Sequence, residues 1–170
     1  MNTLGLLLFG IWNFTACGYE RLQKRLDNQE FDHYYALRVY MNEAQRKNFL
    51  KLKTREERDA YLKQLGLWDA FYSFEPEERE EIVAGNVQIG WSKKKVEMAW
   101  GAPYSRKKAI GRAASRSEIY TYRFEQQPDG SVLVWEPNSK TVYKAIRLFV
   151  KEVIIDDDVV MEIKEKDASW

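Results

Sequence analysis

The stretch that most constrains this chain is Asn86–Tyr104, because it spells out a whole helix with both of its ends. Ser92 suits the N-cap, where its hydroxyl can accept from the amides of the first turn. Val96, Ala99 and Trp100 recur at three- and four-residue spacing and form one apolar face. Gly101 fits the left-handed position after the last turn, and Pro103 cannot continue a helix. A helix of about ten residues is too short to stand alone in water, so its apolar face must find a partner.

The C-terminal third of the chain supplies one. From Glu118 to Phe124 the residues alternate, with Ile119, Thr121 and Arg123 on one side and Tyr120, Tyr122 and Phe124 on the other. Pro128-Asp-Gly130 reads as a turn and Ser131–Glu136 as a second strand ended by Pro137. Val142–Ile155 is a β-branched run and Val159–Lys164 the last strand, which makes four strands. Asp156, Asp157 and Asp158 join the last two as a tight hairpin. One short hairpin offers too few oxygens for the six to eight that calcium takes, so no metal is expected there. Before the central helix, Glu75–Gly85 places Pro76 and acidic residues in a first turn and closes on Gly85.

The order Ile89-Gly-Trp-Ser92, Val96, then Ala99-Trp-Gly-Ala-Pro103, with a tyrosine-rich strand after it, resembles the SmpA/OmlA family of BamE-like outer-membrane lipoproteins. The resemblance covers residues 75–166. Trp91 stands where that family has Met, and Ser92 where it has Thr. It implies an α+β domain in which a helix pair packs on an antiparallel sheet of three or four strands. It also implies binding or scaffolding at the cell envelope, in support of outer-membrane protein assembly.

The N-terminus agrees with that expectation. Leu4–Trp12 is an apolar run of about nine residues, far short of the roughly 20 that a spanning helix needs. A short apolar run ending in small residues is how a signal peptide reads. The chain's single cysteine closes it, in Phe14-Thr-Ala-Cys-Gly18, which resembles a lipobox. Cys17 is therefore the expected site of lipidation (palmitate among the acyl chains), with residues 1–16 removed. Phe14 replaces the usual Leu, and no basic residue precedes Leu4. The alternative is a cytosolic protein with a Leu-rich buried start and Cys17 as a small core residue.

Residues 17–72 read as a helical section and 73–170 as the α+β domain. Asn42 with Gln45, and Thr54 with Glu57, have the spacing of capping boxes, and Gly66 ends the second helix. Over about residues 42–70 this section resembles the helical segment of GWxTR-domain lipoproteins, from which no activity follows. Its many aromatics, Tyr34, Tyr35, Tyr40, Tyr61, Trp68, Phe71, Tyr72 and Phe74, are expected to pack a core rather than to form a partner surface. His33 is read as a surface or partly packed residue without a catalytic role.

Charge matters here locally, not in total. The net charge of +1 gives no reason to expect nucleic-acid binding. Between Ser92 and Ser117, however, eight cations stand against Glu97 alone. Arg106, Lys107, Lys108, Arg112 and Arg116 fall on what reads as a loop joining helix to sheet, and are the candidate residues for binding a membrane surface or a protein partner. No phosphate-cradling Gly-Lys-Ser/Thr is present, and one cysteine and one histidine make a triad or a metal cluster improbable. The expectation is a non-enzymatic protein without a cofactor, lipid-anchored at the periplasmic face of the outer membrane. Its partners would be an envelope complex or another periplasmic protein. The alternatives are a periplasmic inhibitor- or ligand-binding protein that uses its sheet face or the basic loop, or a cytosolic α+β protein without export.

Overall fold

The computed structural model describes residues 24–109, 117–135 and 145–170. They form six α-helices and one antiparallel sheet of five strands, an α+β architecture. Cys17, Arg112 and Arg116 lie outside the described residues. No helix among the described residues is long and apolar enough to cross a membrane.

The helices start where local chemistry dictates. Helix α1 (Asn28–Leu37) opens on a box in which Asp27 Oδ1 accepts from the Glu30 amide at 2.8 Å and Glu30 Oε2 accepts from the Asp27 amide at 3.0 Å. A 3₁₀ turn over Arg38–Tyr40 comes directly after it. The expected boxes at Asn42 and Thr54 open α2 (Glu43–Lys51) and α3 (Arg55–Gln64). Helix α4 (Trp68–Tyr72) is a short aromatic turn, and α5 (Pro76–Ala84) has Pro76 at its first position. Helix α6 (Lys93–Trp100) is the helix expected from the sequence, with Ser92 Oγ accepting from the Lys95 amide at 3.4 Å.

Its end differs in detail from the expectation. Gly101 has φ 78° but ψ −156°, outside the left-handed helical region and in one that only glycine occupies readily. That conformation leads the chain on towards β-structure at Ser105 instead of closing a left-handed cap. Helix α5 has the ordinary cap, with Gly85 at φ 75° and ψ 20°.

The sheet consists of β1 (Ser105–Lys108), β2 (Ser117–Gln126), β3 (Val132–Val134), β4 (Arg147–Asp156) and β5 (Val159–Asp167). Strand β2 pairs with β4 along its whole length, so β1 and β3 share its other edge. Strand β5 closes the far side on β4. The fifth strand corrects the expectation of four: residues Ser105–Lys108, read as loop, pair Ser105 to Thr121 through Lys108 to Glu118. Their side chains carry no hydrophobic alternation, so only the backbone ladder marks them as strand. The aspartate turn is explained by geometry. Asp157 and Asp158 both have positive φ, at 48° and 65°, which a tight hairpin requires and which aspartate tolerates.

Tyr120, Tyr122 and Phe124 face the helices, as the alternation expected. Trp100 meets Tyr122 and Phe124 edge-on, with ring centroids 5.2 and 5.0 Å away, and Phe124 stacks on Phe149 at 5.1 Å. Tyr34, Leu37, Met41, Phe49, Leu50, Leu62 and Phe71 from the preceding helices join the same core. The Tyr40 hydroxyl reaches over to donate to the Lys94 carbonyl at 3.3 Å. Of the aromatics of the helical section expected in a core, all but Tyr35 are buried or packed against it.

Candidate functional site

The basic segment is built as an edge strand beside the start of α6, and the fold already uses half of its described cations. Arg106 donates to Glu97 at 3.0 Å and its guanidinium lies 4.9 Å from the Tyr120 ring centroid. Lys93 pairs with Glu118, whose carboxylate raises the lysine's pKa, and Lys95 pairs with Glu78, whose own pKa falls in consequence. Lys94, Lys107 and Lys108 are exposed and make no ion pair among the described residues. The three sequence-predicted residues that are described therefore part company. Arg106 is a structural tether, whereas Lys107 and Lys108 remain available. Alternation also turns Arg106 and Lys108 towards the helical side of the sheet and Lys107 towards the opposite side. Charged side chains on an edge strand additionally discourage another strand from adding there.

The sheet face away from the helices carries a second feature that the sequence pattern placed only in part. Ile119 and Ile154 lie across from each other there, and so do Arg123 and Val150. The Arg123 guanidinium sits 3.5 Å from the Tyr104 ring centroid, 4.9 Å from that of Trp170 and 5.5 Å from that of Trp135. Tyr104 and Trp170 are 44% and 41% exposed. Alternation put Arg123 on this face, but the three rings come from distant points of the chain.

The third feature overturns the reading of His33 as a surface or partly packed residue. It is 1% exposed and boxed edge-on by Trp68, Phe71 and Tyr72, with centroids 5.4, 5.8 and 5.0 Å away. The rings of α4 enclose it because α1 and α4 pack together. Its Nε2 shares a hydrogen bond with the Tyr72 hydroxyl, and its Nδ1 lies 3.9 Å from Asp59 Oδ1. Burial lowers the His33 pKa, with Asp59 opposing, and burial raises that of Tyr72. Both shifts favour the neutral forms of the two groups. Beneath it, Arg58 donates to Glu30 Oε1 at 2.6 Å and to the Leu52 carbonyl at 2.7 Å, a buried ion pair with a carbonyl as its third member.

His33 has a measurable consequence. Its folded pKa lies below the unfolded value near 6.5, so at intermediate pH the unfolded chain binds more protons. Stability is full above pH 6.5 and is lost as pH falls through the lowered folded pKa, at no more than about 1.4 kcal/mol per pH unit for one proton. Urea titrations between pH 7.5 and 5 should show this fall, and His33→Gln should be flatter over the same window. An equal slope in the variant would remove His33 as the source.

Among the described residues no group of three or more His, Cys, Asp or Glu is placed to hold a metal ion. Comparisons with protein-family models, curated proteins and solved structures find no match to this chain.

Proposed function

We propose that this protein is a non-catalytic component of the cell envelope, held by lipid on Cys17 at the periplasmic face of the outer membrane. There it binds or scaffolds envelope proteins, in support of outer-membrane protein assembly. The observation that supports this reading best is the placement of Lys94, Lys107 and Lys108. Among the described residues Lys107 and Lys108 stand unpaired on the edge strand and Lys94 at the start of α6, in a fold whose helix pair on a sheet is the arrangement implied by the SmpA/OmlA resemblance. Exposed cations on a membrane-anchored protein meet anionic head groups at about 1 kcal/mol each near a negative surface. The same cations steer an acidic protein partner into register.

The experiment is flotation of the full chain with phosphatidylglycerol-containing vesicles against pure phosphatidylcholine, at low and physiological salt. Lys107→Glu with Lys108→Glu should weaken the charge-dependent part at least tenfold at low salt, and by less once salt screens the surface. These two residues are a cleaner choice than Arg106, whose replacement would also break its contact with Glu97. Identical flotation of variant and parent would return the edge to a merely solvated role. Recovery of a soluble acidic partner in place of membrane machinery would favour the inhibitor-like alternative.

A further inference from the structure

A cleft of about 200 Å³ opens between α1, α4 and α5, beside the His33 box. Its walls are Gln29 and Asp32 from α1, Phe71 and Tyr72 from α4, and Arg79 and Glu80 from α5. Two of these side chains, Asp32 and Arg79, carry opposite charges and are both half-buried, yet they do not meet. No ion pair within 4.0 Å links Arg79 to Asp32, and neither side chain makes a hydrogen bond or ion pair with any described residue. What restrains Arg79 is stacking. Its guanidinium carbon lies 4.7 Å from the Tyr72 ring centroid and 6.0 Å from that of Phe71. A guanidinium held by its face keeps its N–H edge free for a carboxylate.

We propose that this cleft binds a small zwitterion of the α-amino-acid type, its carboxylate on Arg79 and its ammonium on Asp32. The space holds several waters' worth of ligand, which suits a molecule of that size. Charge selects the class. Arg79 stands against Asp32 and Glu80, so a simple anion meets two carboxylates and a simple cation meets the arginine. Only a ligand with both charges satisfies the two walls together. Burial and the nearby Asp27 charge raise the Asp32 pKa, a cost that a bound ammonium offsets. Phe71 offers an apolar wall for a short side chain, and Gln29, whose amide accepts from Arg55 and donates to the Tyr72 hydroxyl at 3.5 Å, forms the rim. The tyrosine behind Arg79 is itself fixed by its hydrogen bond to His33, so the recognition group is positioned before any ligand arrives.

The test is a titration of the full ¹⁵N-labelled chain with L-alanine, with propionate and ethylamine as the same molecule stripped of one charge. Saturable shifts of the Arg79 side-chain N–H and of the backbone amides of α1 and α5 are expected with alanine, at millimolar affinity. Each one-charge analogue should bind at least tenfold more weakly, and so should alanine to Arg79→Gln and to Asp32→Asn. Propionate binding as tightly as alanine would overturn the assignment, as would the absence of any saturable shift up to about 50 mM alanine. The analogue comparison uses the unaltered protein, so it stands whether or not the two variants fold.

Discussion

Trp100→Ala is expected to cost about 3–5 kcal/mol of folding stability, which is a large share of what a domain of this size possesses. The side chain is 4% exposed and fills the space between the helix pair and the sheet. Removing it takes the edge-on partner from both Tyr122 and Phe124 and leaves a cavity at the centre of the domain. It also deletes the indole N–H that donates to the Gly85 carbonyl at 2.9 Å, the contact that ties the end of α5 to the end of α6. Trp100→Phe keeps most of the apolar contact and loses the hydrogen bond, so a cost of about 1–3 kcal/mol is expected. Urea denaturation of the two variants separates packing from hydrogen bonding. A loss under about 1 kcal/mol in Trp100→Ala would mean that this helix does not organise the core.

Arg58→Met should be nearly as damaging, at about 3–5 kcal/mol, for a different reason. Met replaces the volume, but Glu30 is then left as a buried carboxylate without its cation. Glu30 has two tasks, since one oxygen accepts from Arg58 and the other closes the capping box on the Asp27 amide. Adding Glu30→Gln to Arg58→Met keeps an acceptor for that amide and removes the stranded charge. The double variant should therefore recover most of the loss. If it is no more stable than Arg58→Met, the penalty comes from packing and not from an unpaired charge.

Features that depend on near neighbours in the chain were legible in advance. The capping boxes at Asn42 and Thr54, the helix from Lys93 to Trp100 and the inward set of Tyr120, Tyr122 and Phe124 all stem from periods and pairs a few residues apart. Strand β1 was not legible, because Ser105–Lys108 has no apolar alternation and is held by the backbone of β2. The burial of His33 was hidden because its walls come from α4, far along the chain. The split among the basic residues was equally hidden. Nothing local distinguishes Arg106 from Lys107, and only the approach of Glu97 does so. Arg79 and Asp32 carry no local signal that joins them; only the packing of α1, α4 and α5 places them on one cleft.

The sharpest test of the envelope assignment is the intact mass of the full-length gene product recovered from detergent-solubilised membranes, together with whatever co-purifies in fixed ratio. The expected species is a chain that begins at Cys17, carries acyl groups on that residue and brings an envelope protein with it, with Cys17→Ala found in the soluble fraction. An unmodified polypeptide that still begins at Met1 and remains soluble without a membrane partner would contradict the assignment.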